Sequence, residues 1–333
     1  MSDSRIPVTI LTGFLGAGKT TVLNQLIRQQ TNKRIAVIEN EFGEINIDSD
    51  LVINKDGSVF ELSNGCVCCS LNGELTETLY MLLERQDKID YLIIETTGIA
   101  DPGPVALSFL SDEQVQEAFR LDAVVTVVDS LHIERQLETQ PEVGKQVALA
   151  DVLLFNKAKD VEPYLLDTAK NIVKRINPQA QIIEADHGKV DSSSFLDRNA
   201  FDPQTVLKQE WKKPGPQLVL APDYRHTNHV ALISHAFEIE EALDLVRFDS
   251  WVAMMLYMNA STLFRIKGIL NVAEMEEKVV FQSVYNQYVS QSAGTWEQGE
   301  VRKTRLVFIG KNLDRELLEK GLRQCIYLEA NYQ

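Results

Sequence analysis

The sequence predicts an α/β fold, in which a doubly wound, mostly parallel sheet is followed by a smaller α+β domain. Two observations indicate it: the first half alternates short apolar runs with helical stretches, and the second half orders its strands and helices differently. Unbroken apolar runs are typical of strands covered on both faces, as in a parallel sheet with helices on each side. These runs are Val8–Leu11, Ile35–Ile38, Leu92–Ile94, Ala123–Val128 and Val152–Phe155.

The halves are separated by residues 201–229, a proline-containing segment without clear periodicity that we interpret as a linker. We therefore expect a first domain at 1–200 and a second, α+β domain at 230–333. Strands of the second domain are predicted at Ala231–Ile239, Leu263–Asn271, Lys278–Val289 and Thr304–Ile309. Helices are predicted at Phe248–Asn259 and Asp314–Cys325.

Composition narrows the class of protein. With 333 residues, 44% of them hydrophobic, the chain can bury two cores. A net charge of -15 argues against non-specific nucleic-acid binding, which needs a basic face, and favours cations as charged partners. The apolar run Val8–Leu11 is too short for a signal peptide or a membrane span. We expect a cytoplasmic protein that binds neither nucleic acid nor membranes, and homo-oligomerisation stays open.

The strongest motif is a phosphate-binding loop. Residues Gly13 to Thr20 read G-F-L-G-A-G-K-T, after an apolar strand and before a helical stretch. Backbone N–H groups and a helix N-terminus then both face a phosphate. We expect Lys19 to reach the β and γ phosphates and the Thr20 hydroxyl to bind Mg²⁺. The motif predicts a P-loop NTPase, a hydrolase fold; a glycine-rich turn without a ligand is the alternative.

A second nucleotide element is predicted after the strand at Leu92–Ile94, in the sequence E-T-T-G. P-loop proteins place an acidic residue near the magnesium ion at the end of such a strand. Glu95 is expected to act through Mg²⁺ or its water shell, and the Gly98 N–H to sense the γ-phosphate. An E-x-x-G after a strand is a weak signal alone, but beside the P-loop it completes a predicted catalytic set of Lys19, Thr20 and Glu95.

Base recognition departs from the expected pattern. A GTPase usually carries N-K-x-D after a strand, because the aspartate accepts two hydrogen bonds from guanine while the lysine packs on the ring. Here Asn156 and Lys157 are followed by Ala158, Lys159 and Asp160, and a lysine cannot accept a hydrogen bond. A one-residue bulge that brings Asp160 into place is favoured over a loss of guanine selectivity. His187 falls in a later loop expected near the base.

A metal site is predicted from Cys66, Cys68 and Cys69, three of the four cysteines, in N-G-C-V-C-C. Thiolates at this density suit a soft or borderline cation, above all Zn²⁺. Two cysteines with an outside ligand would also serve, and Glu39 and Glu44 offer carboxylates for metal or water. The alternative is a set of small buried hydrophobic side chains.

These motifs, together with E-N-E-F-G-E, E-T-T-G-I-A-D-P-G-P, R-I-K-G-I-L and R-L-V-F-I-G, resemble the CobW-type metallochaperone GTPases, particularly their YjiA-like branch. The resemblance covers nearly the whole chain and includes the CobW C-terminal domain. It implies that GTP is hydrolysed to GDP and phosphate by a carrier of zinc or another transition metal, which is delivered to a client metalloprotein. Phosphate, magnesium and base are expected at Gly13, Gly16, Ala17, Gly18, Lys19, Thr20, Thr21, Gly98, Asn156, Lys157 and Asp160, and the carried metal at Cys66, Cys68, Cys69, Glu39 and Glu44.

Three functions remain open at the level of sequence: a metal-delivering GTPase, a P-loop kinase, and a metal-buffering or sensing protein with vestigial hydrolysis. The family often has a long histidine-rich tract before its second domain, whereas this chain has only His226, His229 and His235 there. They could form a weak accessory metal site or be ordinary surface residues. The segment from Glu39 to Cys69 lies between the P-loop and E-x-x-G, so an ordering γ-phosphate could also assemble the cysteine site.

Overall fold

A computed structural model describes residues 3–30, 33–41, 52–53, 59–65, 71–84, 89–212 and 232–328. The chain divides into two compact units, each with its own sheet. The first comprises 1–173 and 180–200, and the second comprises 174–179 and 201–333.

The first unit is built on an eight-stranded sheet in the order β3-β4-β2-β5-β1-β6-β7-β8. Every neighbouring pair is parallel except β3 and β4. The strands are β1 (Ile6–Thr12), β2 (Ile35–Glu41), β3 (Val52–Ile53), β4 (Val59–Gly65), β5 (Tyr91–Glu95), β6 (Phe119–Asp129), β7 (Val152–Asn156) and β8 (Gln181–Glu184).

Helices lie between most of the consecutive parallel strands along the chain, as crossover connections in a parallel sheet require. They are α1 (Lys19–Gln29), α2 (Leu71–Leu83), α3 (Gly103–Ser111), α4 (Glu113–Ala118), α5 (Ile133–Thr139), α6 (Pro141–Leu149) and α7 (Pro163–Ile176). Within the described ranges, none of the helices is long and apolar enough to cross a membrane.

The apolar runs explain the centre of this sheet. All residues of β5 and β7 are buried, and β6 is buried almost throughout, so both faces of these strands are covered. The predicted doubly wound, mostly parallel sheet is confirmed. Three strands were not predicted: β3 has two residues, β8 has four, and β4 interrupts its apolar pattern with Glu61, Ser63 and Asn64.

The second unit has a five-stranded antiparallel sheet in the order β12-β11-β10-β13-β9. Its core includes Phe248, Phe281 and Phe308, and the first two rings meet edge to face at 5.3 Å between centroids. The strands are β9 (Leu232–Ile239), β10 (Leu263–Leu270), β11 (Glu277–Val284), β12 (Gln287–Thr295) and β13 (Thr304–Lys311), and the helices are α8 (Pro203–Lys208), α9 (Leu245–Met258) and α10 (Arg315–Gln324).

Two predictions for the second half need correction. The single strand predicted at Lys278–Val289 is two strands, because Val284 pairs with Gln287 across a tight turn in which Tyr285 has a φ of 50°. The predicted linker 201–229 contains α8, whose first turn is capped by the Asp202 carboxylate and which buries Val206 against the second sheet. Residues 213–231 lie outside the described residues.

Candidate nucleotide and metal site

The phosphate-binding loop joins β1 to α1, and its backbone requires glycine. Gly13, Gly16 and Gly18 have φ angles of 143°, 76° and 98°. A Cβ at Gly13 would lie 2.3 Å from the carbonyl oxygen of Val127, and one at Gly18 would lie 2.4 Å from Asn156 Nδ2. A side chain at Gly13 or Gly18 would therefore clash, and the φ of Gly16 favours glycine. The helix α1 begins at Lys19, and no side chain caps its N-terminal N–H groups.

Lys19, Thr20 and Glu95 meet beside this loop. The Lys19 ammonium is buried and donates to the carbonyl of Gly13 at 3.0 Å. Burial lowers the pKa of Lys19, and the Glu95 carboxylate acts in the opposite direction. The Thr20 hydroxyl donates to Glu95 Oε1 at 3.2 Å. A hydroxyl and a carboxylate side by side are the oxygen ligands that Mg²⁺ prefers, so this set fits a magnesium ion.

The E-x-x-G loop packs directly on the P-loop. A Cβ at Gly98 would lie 2.6 Å from the backbone nitrogen of Leu15. The loop is held by Gln146 of α6, whose buried Nε2 donates to the carbonyls of Gly98 and Ala100 at 3.1 and 3.0 Å. Sequence reasoning missed Gln146, because no local motif signals a glutamine that reaches two carbonyls from a distant helix.

Asn156 and Lys157 fasten the end of β7 to the P-loop. The buried Asn156 amide donates to the carbonyl of Ala17 at 2.9 Å and accepts from the Gly188 N–H at 2.9 Å. Lys157 Nζ donates to the carbonyl of Gly16 at 2.9 Å and to Asp129 Oδ2 at 2.7 Å. Asp129, at the end of β6, was also missed, although a carboxylate closing a buried parallel strand is a recognisable signal.

The loops after β7 and β8 are joined by two charged pairs. Lys159 Nζ donates to Asp186 Oδ2 at 3.0 Å, and His187 Nε2 lies 3.1 Å from Asp160 Oδ2. The hydrogen bond from Lys159 lowers the pKa of the Asp186 carboxyl. A Cβ at Gly188, which has a φ of 77°, would lie 2.8 Å from Thr21 Cγ2, so this loop also reaches the start of α1.

For the predicted metal ligands, the structure describes the neighbouring strands but none of the side chains. Cys66, Cys68, Cys69 and Glu44 lie outside the described residues, and only the backbone of Glu39 is described. That backbone pairs with Glu95 of β5 on one side and with Ser63 of β4 on the other. Within the described part of the chain, no three or more His, Cys, Asp and Glu side chains form a metal-binding group.

His235 and Cys325 are buried in the second unit. His235 lies on β9, buried, with Nε2 3.0 Å from the carbonyl oxygen of Leu313. Burial lowers the pKa of His235, which favours a neutral ring. Burial raises the pKa of Cys325 to about 11, so this thiol stays protonated at neutral pH. His226 and His229 lie outside the described residues.

A glycine loop between a parallel strand and a helix, with a buried lysine and a paired threonine and glutamate, defines a P-loop nucleotide-binding protein. Comparison with known families narrows the class. The nucleotide-binding domain described as CobW/HypB/UreG matches residues 7–184, and the cobalamin synthesis protein cobW C-terminal domain matches residues 232–326. The chain belongs to the CobW/HypB/UreG family.

Named relatives extend over nearly the whole chain. It is 33% identical to the "Zinc chaperone YjiA" of Escherichia coli strain K12, over 96% of this chain and 99% of that protein. It is 29% identical to the "Zinc-regulated GTPase metalloprotein activator 1" of Schizosaccharomyces pombe, over 93% and 83%. The crystal structure of Zn(II)-bound YjiA GTPase from E. coli matches with a TM-score of 0.77 at 28% identity, covering 98% of this chain and 100% of that one.

Proposed function

We propose that the protein is a metal-binding GTPase in which GTP binding and hydrolysis control the binding of a transition metal, zinc, and its delivery to a client metalloprotein. The observation that carries this proposal is the register of the first sheet. The adjacent parallel strands β4, β2 and β5 end at one edge, where Gly65 pairs with Glu41 and Glu39 pairs with Glu95. The cysteine motif begins at the next residue, Cys66.

The nucleotide part of the proposal rests on the P-loop. Its N–H groups and Lys19 bind phosphate, and Thr20 with Glu95 binds Mg²⁺. Magnesium, when bound, neutralises charge that develops on the transferred phosphoryl group. Gly98 lies against Leu15 of the P-loop, and this position supports its proposed role in sensing the γ-phosphate. The guanine contact proposed from sequence is Asp160, and the structure adds Asp186 as a second carboxylate.

The metal part of the proposal rests on ligand chemistry and position. Cys66, Cys68 and Cys69 supply thiolates, with Glu39 and Glu44 as carboxylate ligands, which suits zinc as cargo. The cysteine motif follows β4 in sequence, and β4 lies two strand positions from β5, a distance of about 10 Å. A γ-phosphate that orders the loop after β5 therefore acts close to the end of the strand that precedes the cysteines. Named relatives are a zinc chaperone and a zinc-regulated GTPase, which supports the same reading.

Coupling is tested by zinc affinity in the presence of Mg²⁺ with GDP or with a non-hydrolysable GTP analogue. We expect tighter zinc binding with the analogue, and by linkage tighter analogue binding with zinc. Equal zinc affinities with the two nucleotides would refute the coupling and favour the alternative, a metal-buffering protein whose hydrolysis is vestigial. Metal analysis of the purified, nucleotide-loaded protein identifies the cargo.

The metal site is tested by changing Cys66, Cys68 and Cys69 together to serine, with Cys325→Ser as the matched control. The triple variant is expected to lose zinc binding while it keeps GTP binding, because the P-loop is untouched. Cys325 is buried in the core of the second unit, so its variant is expected to bind zinc normally. Full zinc affinity in the triple variant would show that the ligands lie elsewhere.

A further inference from the structure

The position at which N-K-x-D has its guanine-binding aspartate is occupied here by Lys159, which carries the opposite charge. Asn156 is fixed on both sides, by the carbonyl of Ala17 and by the N–H of Gly188, so the loop after β7 has a defined start. Lys159 stands third after Asn156, at the offset where N-K-x-D has its aspartate. An ammonium there offers only donors, whereas guanine presents the donors N1–H and N2–H₂ along that edge. Lys159 alone therefore cannot select guanine.

A carboxylate stands directly against this lysine, on the loop after β8. Asp186 Oδ2 accepts from Lys159 Nζ at 3.0 Å, and the Asp186 side chain is 24% exposed. Its other oxygen, Oδ1, lies 3.9 Å from His187 Nε2, beyond hydrogen-bond distance. The hydrogen bond from Lys159 lowers the pKa of this carboxyl, which favours its ionised form. A carboxylate acceptor therefore lies beside Lys159, although it belongs to the loop after β8 and not to the loop after β7.

Asp160 is a less suitable acceptor for the same base edge. It closes a short 3-10 turn in which its N–H donates to the carbonyl of Lys157 at 3.0 Å. One residue along such a turn rotates the side chain by about 120°, so Asp160 and Lys159 point in different directions. The Asp160 carboxylate is also paired with the imidazole of His187 at 3.1 Å. Among the described residues, Asp186 is the carboxylate that pairs with Lys159, the side chain at the aspartate position of N-K-x-D.

We propose that Asp186, positioned by Lys159, is the specificity-determining carboxylate that accepts the N1–H and N2–H₂ hydrogen bonds of guanine. In this assignment the acceptor belongs to the loop after β8 instead of the loop after β7, and its ion pair with Lys159 holds it in place. This assignment rests on the proposed GTPase function and deepens it, because it names the residue that selects the base.

The assignment predicts a gain as well as a loss of binding. A carboxylate accepts two hydrogen bonds, whereas a carboxamide accepts one and donates one. Xanthine presents N1–H beside the acceptor O2, so it complements a carboxamide as guanine complements a carboxylate. Asp186→Asn should therefore weaken GTP binding roughly ten- to hundredfold and raise the ratio of XTP to GTP affinity at least about tenfold. Because binding is gained, a folding defect cannot imitate the result.

The experiment measures equilibrium affinities of the full chain for GTP, ITP, XTP and ATP by competition with a fluorescent guanine nucleotide. Asp160→Asn makes the same chemical change in the neighbouring pair and tests the competing carboxylate, so it should not raise the ratio of XTP to GTP affinity. Asp90→Asn is the matched control, because Asp90 forms an exposed ion pair with Arg34 just before β5 and its variant should shift every affinity less than about twofold. ITP lacks the N2 amine, so the preference of the wild type for GTP over ITP should disappear in Asp186→Asn. Lys159→Met, which removes the anchor and keeps the length, should weaken GTP binding with no gain for XTP.

The outcomes separate this assignment from the function on which it rests. An XTP gain in Asp160→Asn, or unchanged base preferences in both variants, would overturn the assignment of Asp186. GTP binding by the wild type that Lys19→Ala abolishes would at the same time leave the proposed function standing. A wild-type chain that binds no nucleoside triphosphate would overturn the proposed function and the assignment together.

Discussion

Gly98→Ala tests whether the E-x-x-G loop senses the γ-phosphate. The added Cβ would lie 2.6 Å from both the backbone nitrogen and Cδ2 of Leu15, where ordinary contact needs about 3.4 Å or more. The P-loop and the E-x-x-G loop must then separate by about 1 Å, and overpacking of this kind costs about 1–3 kcal/mol. If that cost falls on the triphosphate complex, the affinity for a non-hydrolysable GTP analogue drops about 5- to 150-fold.

The assay is a fluorescence titration with the GTP analogue and with GDP. GDP should lose little affinity, because it does not need Gly98 to approach a γ-phosphate. Gly299→Ala is the control for a destabilising glycine substitution away from the site: its φ of 85° disfavours alanine, but a Cβ there has nothing within 4 Å and Gly299 lies in the second unit, so neither nucleotide affinity should change. An equal loss for both nucleotides would refute γ-phosphate sensing, and no loss for either would show that the contact with Leu15 yields without cost.

Three further predictions concern buried polar groups. Asn156→Ala removes two buried hydrogen bonds and should lower the free energy of unfolding by about 2–4 kcal/mol in urea titrations; a loss under about 0.5 kcal/mol would contradict the anchoring role. Burial lowers the pKa of His235 from 6.5, so the neutral ring stabilises the fold above that pH and this contribution is lost as the pH falls. His235→Gln should therefore flatten the pH dependence of the free energy of unfolding between about pH 7.5 and 5. Cys325, with its pKa raised to about 11, should be alkylated by iodoacetamide at pH 8 only after denaturation; peptide mapping that finds it modified in the folded chain would contradict its burial.

Much of the fold could be predicted because strands that are buried on both faces are mostly apolar in sequence. The strands β1, β5, β6 and β7 each contain a mostly apolar run that is buried on both faces. The strand β4 was missed because polar residues alternate within it, and β8 was missed because its four residues are only partly buried or exposed. The turn at Tyr285 contains neither glycine nor proline, and Asn286 is the one local turn signal, so the end of β11 was missed.

The site was predictable where residues act at fixed offsets along the chain. The P-loop and the Thr20–Glu95 pair follow from motifs of this kind. The contact of Lys159 with Asp186 joins residues 27 positions apart, and the offset in N-K-x-D reveals only that an acceptor is missing. The residue that replaces the aspartate of N-K-x-D could not be identified from sequence. It depends on the contact between the loops after β7 and β8, which is seen only in the folded chain.

The strands that precede the proposed base site and the proposed metal site lie on opposite sides of the P-loop strand β1. β4, before the cysteine motif, and β8, before Asp186, each lie three strand positions from β1, about 14 Å on either side. A change of base preference should therefore leave the coupling to zinc intact. Asp186→Asn with a non-hydrolysable XTP analogue should bind zinc as tightly as the wild type does with the GTP analogue, measured by zinc titration at saturating nucleotide. Weaker zinc binding in the variant under those conditions would show that the base loop itself takes part in the switch.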